Sequence, residues 1–200
     1  AIGPIMRIAG NGITTGLLWL INTLGPIGGA IFGFLYAPIV ITGMHHSFTA
    51  VETQLLADIA TTGGSFIFPV AAMSNVAQGA AALSVLLVLK KDNKMKGIAS
   101  ASGISALLGI TEPAIFGVNL KLRYPFYGAM IGTAVSSAYI MLTKVLALAP
   151  GAAGLPGIIS IRPDSMINYI IGMAISMAVA VASTIILAKT TSKKQNLEVA

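Results

Sequence analysis

Long apolar runs, separated by short polar or glycine-rich breaks, dominate this sequence. The first run is Ile2–Leu24, and Ser65–Leu89, Tyr124–Ala149 and Met166–Ala188 are each long enough for a membrane-spanning helix, which needs about 20 residues. Another run, Ala30–Met44, is short for a full span. Because the runs are continuous and do not alternate with polar residues, they predict helices and not the strands of a barrel.

Two segments interrupt this pattern, and the charged residues beside the apolar runs indicate how the chain crosses the membrane around them. Lysines cluster at Lys90–Lys96 and in the tail that starts at Lys189, and the positive-inside rule assigns both to the cytoplasm. An even number of crossings must separate them, and Tyr124–Ala149 and Met166–Ala188 supply two. The remaining segment, Gly97–Val118, must therefore leave and return on the cytoplasmic side, which predicts a re-entrant hairpin.

The tip of this hairpin is expected near Gly109–Pro113, where the apolar stretch is broken. A second hairpin, entering from the opposite face, is predicted at His45–Gly64, which is polar for membrane depth. Non-helical backbone at such depth is tolerated only where it faces protein or a water-filled cavity. Two interrupted segments in one membrane protein indicate a substrate site between them.

Composition supports an all-α integral membrane protein that crosses the membrane several times. The 200 residues are 56% hydrophobic and 9% charged, against about 25% charged in soluble domains. The net charge of +6 is explained by lysines that flank apolar runs, so no nucleic acid partner is expected. The absence of cysteine excludes disulfides and thiolate chemistry within these residues. Since the sequence does not open with Met, we expect a fragment of a longer protein.

Glu112 is the first candidate for chemistry. It lies between Thr111 and Pro113 in an apolar stretch, and a carboxylate at membrane depth is costly enough to indicate function. The alternative is structural, since Pro113 suits the first turn of a helix that Thr111 or Glu112 would cap.

His45, His46 and Glu52 form the second candidate group. Adjacent helical residues point about 100° apart, and without cysteine or a third histidine a metal site is not expected. Imidazoles can instead hydrogen-bond to sugar hydroxyls. If the segment is one helix, Glu52 lies two turns after His45 on the same face. Asn75 is a further candidate, although with Gln78 it also fits helix–helix packing.

Four stretches resemble a known family. Residues 42–48 (TGMHHSF) and 51–56 (VETQLL) resemble the sucrose- and trehalose-type membrane subunits of bacterial phosphotransferase systems. Residues 73–79 (MSNVAQG) are similar to the sucrose type, and residues 109–117 (GITEPAIFG) resemble the family's hallmark motif. The resemblance covers nearly the whole chain.

The resemblance implies an EIIC subunit of the glucose superfamily, which carries a sugar across the bacterial cytoplasmic membrane. A partner EIIB subunit, charged on a cysteine, then phosphorylates the sugar, so this cysteine-free chain would be one part of a sugar phosphotransferase. The family's sugar ligands map onto Glu112 and onto His45 or His46. Residues 1–188 match the substrate-binding half and 189–200 a cytoplasmic tail or linker; the full-length family members are homodimers.

We therefore predict a sugar permease subunit, with a disaccharide as substrate, sucrose more than trehalose, and no cofactor. Glu112 would also act as the base that accepts the hydroxyl proton. One alternative is a proton-coupled transporter with Glu112 and His45 as a proton relay, and another is a scaffold subunit without substrate. The residues predicted to bind substrate are His45, His46, Glu52, Asn75, Thr111 and Glu112.

Overall fold

The structure is a computed structural model that describes residues 15–89 and 92–198, with side chains to Thr191. Within these residues it contains helices and isolated bridges but no strands, which agrees with the predicted all-α membrane protein. The helices are α1 (Thr15–Leu24), α2 (Pro26–Ile41), α3 (Phe48–Ala57), α4 (Ile59–Thr62), α5 (Ile67–Val88), α6 (Asn93–Leu107), α7 (Glu112–Ala114), α8 (Leu120–Leu122), α9 (Tyr124–Leu142) and α10 (Met166–Glu198). Short 3-10 helices lie at Met44–Ser47, Leu155–Ser160 and Pro163–Ser165, and a π-helical turn lies at Ile115–Asn119.

Three of these helices are long and apolar enough to cross a membrane. They are α5, α9 and the stretch Pro163–Thr191, and they correspond to three of the predicted spans. Of the first predicted run, Ile2–Leu24, residues before Thr15 lie outside the described part, and the rest forms the short helix α1. The predicted tail from Lys189 begins inside α10, which extends as a helix to Glu198.

The predicted end of the third span, Ala149, is wrong by seven residues, since α9 ends at Leu142. Lys144 then has a positive φ of 52°, which ends the helical path. Ala147 follows in extended conformation and forms antiparallel bridges with Ser65 and with Ile161. Ser65, Ala147 and Ile161 lie at one end of the helix bundle, which we call the loop end.

Helix α5 lies at the centre of the bundle and is mostly buried. The Ser176 hydroxyl of α10 donates to the Met73 carbonyl of α5 at 2.8 Å. Further along both helices, Ala81 packs in one cluster with Ala180. Helix α5 therefore runs in the same direction as α10. Helix α9 runs antiparallel to α10 and packs closely on it through small residues. A Cβ on Gly132 would lie 2.7 Å from the Ser176 carbonyl oxygen, so only glycine allows this approach of the two backbones.

Helices α6, α7 and α8 form a hairpin whose two limbs return to the same end of α5. Helix α6 runs antiparallel to α5, since Gly103 packs against Leu83 and Gly79 against Leu107. The descending limb ends at Leu122, which packs in one apolar cluster with Val85 near the end of α5. We call this end, at Lys94, Lys121 and Lys189, the lysine end. The shape matches the predicted hairpin, and its position inside a membrane stays a prediction.

A second folded-back segment opens at the loop end. Helix α2 and the stretch Met44–Ala57 are bent against each other by 116°, as in a broken span or a re-entrant loop. Phe48, at the start of α3, packs edge-on against Phe32 and stacks on Tyr36, both in α2. The first limb is therefore α2, which lies before the predicted hairpin His45–Gly64.

Membrane topology can be tested by single cysteines, because the sequence has no cysteine of its own. We expect Lys94→Cys and Lys189→Cys, both exposed at the lysine end, to react with a membrane-impermeant maleimide from the cytoplasmic side. Ile159→Cys, at a position that is 84% exposed near the loop end, should react from the outside. Labelling is compared in intact cells and inverted vesicles, with unsubstituted protein as blank. Reaction of Lys94→Cys and Ile159→Cys from one side would contradict the assignment.

Candidate functional site

A cavity of about 290 Å³ lies where the tips of the two folded-back segments meet the middle of the bundle. Its volume is at the lower end of the range for small-molecule sites, roughly 300–1,000 Å³. Four of the residues predicted to bind substrate line it, and so does the loop segment at residues 151–153. The four are His45, Asn75, Thr111 and Glu112.

His45 and Glu112 reach this cavity from opposite ends of the bundle. His45 lies in the 3-10 helix Met44–Ser47 at the tip of the segment that opens at the loop end. Glu112 begins α7 at the tip of the α6–α8 hairpin, which opens at the lysine end. Thr111 is buried at the N-cap of α7 but makes no capping hydrogen bond with its side chain. The two tips together supply an imidazole, a hydroxyl and a carboxylate to one cavity.

The loop at residues 151–154 forms one wall of the cavity and is fixed by two side chains. The Asn75 amide donates to the Ala153 carbonyl at 2.6 Å, and the buried Tyr169 hydroxyl donates to the Gly154 carbonyl at 2.8 Å. Gly109, at the hairpin tip, has a φ of 106°, and a Cβ there would lie 2.9 Å from the Ala153 oxygen. Both its conformation and this close approach therefore require glycine. Asn75 thus positions the wall, in addition to lining the cavity.

Two other predicted substrate ligands lie outside the cavity lining. His46 is exposed, and its ring centroid is 4.1 Å from that of His45. Glu52 accepts a hydrogen bond from the Ser65 hydroxyl at 3.0 Å. The condition for a shared helical face of His45 and Glu52, one continuous α-helix, is not met, because a 3-10 helix that ends at Ser47 precedes α3. Their roles as substrate ligands stay predictions.

The cavity also has lining residues that the sequence did not single out. Tyr36 is buried in α2 and lies among apolar residues, so the periodicity of that run does not distinguish it. Residues 151–153 come from a glycine- and proline-rich loop, whose side chains give no functional signal. The signal available for Tyr36 was its hydroxyl, a polar group in an otherwise apolar run.

Gln78, which the sequence analysis considered together with Asn75, packs two segments of the bundle against each other. It is fully buried, and its side-chain and backbone oxygens both accept from the Asn119 amide, at 2.6 and 3.0 Å. Asn119 ends the π-helical turn Ile115–Asn119, which follows directly after α7, the helix that Glu112 begins. Turns of this type are frequent at functional sites. The contact ties the descending limb of the hairpin to α5.

Comparison with known proteins gives a consistent result. The family model described as "Phosphotransferase system, EIIC" matches residues 1–134. The chain belongs to the EIIC family of the phosphotransferase system. It is 65% identical over 193 residues to the "PTS system sucrose-specific EIIBC component" of Pasteurella multocida, covering 96% of this chain and 40% of that relative.

Other members of this EIIC family are similar over the same length. The sucrose-specific EIIBC component of Vibrio alginolyticus is 64% identical, covering 93% of this chain and 39% of the relative. The trehalose-specific EIIBC component of Bacillus subtilis is 47% identical, covering 92% and 38%. The chain thus spans about 40% of the length of these curated relatives. No solved structure matches the chain. The family gives no support to the proton-relay alternative.

Loss of the Asn75 amide should loosen the wall of the cavity. A hydrogen bond of this kind contributes about 1 kcal/mol, so we expect Asn75→Ala to speed amide hydrogen exchange in residues 150–158 by about five-fold. Asn93→Ala, at an exposed position that begins α6, is the control and should leave this exchange unchanged. Equal exchange in both variants would mean that Asn75 does not hold the loop.

Proposed function

We propose that this chain is the substrate-binding half of a sucrose permease in the bacterial cytoplasmic membrane. Residues 1–188 bind and translocate sucrose, and the tail from residue 189 extends into the cytoplasm. The proposal is supported by the names of relatives more than 60% identical, which are sucrose-specific. In those relatives the name EIIBC combines the two components, so the partner is a phospho-EIIB domain, and the full-length permease is a homodimer in lipid.

The observation that carries the proposal is the meeting of His45 and Glu112 at one cavity. A carboxylate accepts hydrogen bonds from sugar hydroxyls, and an imidazole can both donate and accept. The side chains of Asn75 and Thr111 add neutral polar groups to the lining. Such a mixture suits a neutral polyol better than an ion, which favours a sugar ligand over an ion-coupled relay or a scaffold.

In the reaction that follows binding, Glu112 is proposed to act as the general base. The sugar hydroxyl attacks the phosphorus of the EIIB phosphocysteine, so a P–O bond forms while the P–S bond breaks. The hydroxyl proton passes to the Glu112 carboxylate, and the thiolate leaves with the electron pair of the P–S bond. A well-placed base contributes about 10²–10⁴-fold to such a step. The cysteine is a residue of EIIB, since this chain has none.

Sugar affinity should depend on the two tip residues. In the full-length permease we expect Glu112→Gln to weaken sucrose binding by about ten-fold or more, because a charge-assisted hydrogen bond contributes roughly 1.5–3 kcal/mol. His45→Gln should weaken binding by a few-fold, since an amide replaces only part of the imidazole's hydrogen bonding. Affinity is measured by equilibrium binding of radiolabelled sucrose, with labelled trehalose as comparison.

His46→Gln is the matched control, because His46 is adjacent in sequence but exposed outside the cavity lining. Its affinity should equal that of the wild type. If His46→Gln weakened sucrose binding as much as His45→Gln does, His45 could no longer be assigned as the histidine that contacts the sugar. If Glu112→Gln bound and phosphorylated sucrose like the wild type, the role of Glu112 would be structural only.

The coupling of uptake separates the proposed function from the proton-relay alternative. Vesicles carrying the complete permease should accumulate labelled sucrose only as the phosphate ester. They should do so only with the cytoplasmic phosphoryl donor, and a protonophore should have no effect. The His45→Gln variant should keep part of this uptake, because its role is hydrogen bonding and not titration. Accumulation of free sucrose without donor, abolished by the protonophore, would overturn the proposal.

A further inference from the structure

A second, larger cavity of about 580 Å³ lies at the lysine end, formed by α8, the start of α9 and the last turns of α10 that have described side chains. None of its lining residues lines the candidate sugar site. Two adjacent cationic side chains, Lys121 and Arg123, form part of its wall, and both are exposed.

No described carboxylate neutralises these two cations. The ion pair found among residues 15–89 and 92–191 is Arg162–Asp164, close to the loop end. At the lysine end, the Asp92 side chain accepts from the Met95 amide in the cap of α6. Arg123 has a positive φ of 62°, which is uncommon for a residue with a side chain and arises where α8 ends and α9 begins. The cavity therefore presents two positive charges without an internal counterion in the described part.

The rest of the wall combines apolar surface with the side chains of Tyr124 and Thr191. The Tyr124 side chain also packs against the apolar cluster of α5 and α6, and its hydroxyl oxygen is buried. Leu122, Leu187 and Tyr127 provide the apolar part, and Tyr127 is 55% exposed. A ligand that fits must be anionic at one end and apolar at the other.

The position of the cavity relative to the candidate spans points to the membrane surface. One candidate span begins at Tyr124, and Leu187 lies near the end of the apolar run Met166–Ala188; both residues line the cavity. Tyrosines are enriched at this depth of a membrane, and basic pockets between helices on the cytoplasmic side bind anionic head groups. A free phosphate or a sugar phosphate would make no use of the leucine surface.

We propose that this cavity binds an anionic phospholipid. Lys121 and Arg123 contact the phosphodiester, and an acyl chain lies along Leu122 and Leu187. The site is independent of the sugar cavity, so it holds or fails separately from the proposed transport function.

The test measures lipid retention by native mass spectrometry of the full-length permease, titrated with phosphatidylglycerol or with phosphatidylcholine. We expect preferential retention of phosphatidylglycerol, and a loss of affinity of about ten-fold or more in Lys121→Gln/Arg123→Gln. Thermal unfolding in phosphatidylcholine checks that each variant is folded.

The matched control is Lys94→Gln/Lys189→Gln, which removes two exposed positive charges from the same end but outside the cavity. It should retain phosphatidylglycerol like the wild type, and an equal loss would overturn the proposal in favour of diffuse surface charge. If inorganic phosphate or sucrose phosphate displaced phosphatidylglycerol at equal concentration, the ligand would be a soluble phosphate and not a lipid, and the proposal would be overturned. The proposal would also be overturned if Lys121→Gln/Arg123→Gln retained lipid like the wild type but was no longer phosphorylated by EIIB, because that result would indicate a protein-docking surface.

Discussion

The hydrogen bond from the Asn75 amide to the Ala153 carbonyl is the contact on which the architecture of the site depends. An irregular loop that reaches the middle of an apolar bundle carries backbone polar groups that lipid cannot satisfy. Asn75 and Tyr169 satisfy two of these carbonyls from α5 and α10, the helices that also contact each other directly. The loop can therefore stay at this depth, and it provides the surface against which Gly109 at the hairpin tip packs.

The same physical constraint explains why small residues surround the site. Gly109 and Gly154 lie so close to neighbouring backbone that a Cβ on either would come within 3 Å of a backbone atom. Backbone approaches of this kind bring carbonyl oxygens and short side chains to the cavity without bulky groups in between. The chain thus places polar groups at depth by close packing of backbone, with few ionisable side chains.

Part of this arrangement was predictable from the sequence, and the reasons differ from element to element. The spans at α5 and α10 could be predicted from the length of their apolar runs, because about 20 apolar residues are enough to cross a membrane whatever helices pack beside them. Asn75, Thr111 and Glu112 were found because polar residues in apolar stretches are costly and few. The end of α9 was not predictable, since it depends on the pairing of Ala147 with Ser65 and Ile161, residues distant in sequence. A shared face for His45 and Glu52 depended on one continuous α-helix, and spacing alone cannot reveal the 3-10 helix that precedes α3.

The opposed directions of the two folded-back segments have a consequence for access to the cavity. His45 is attached to limbs that open at the loop end, and Glu112 to limbs that open at the lysine end. Withdrawal of either tip towards its own end would connect the cavity with that end while the other tip stayed in place as a barrier. Alternating access would then require only that the two tips never withdraw together. In the proposed permease, one shared cavity reached from each end by a separate segment would serve as a single binding site with a gate on each side.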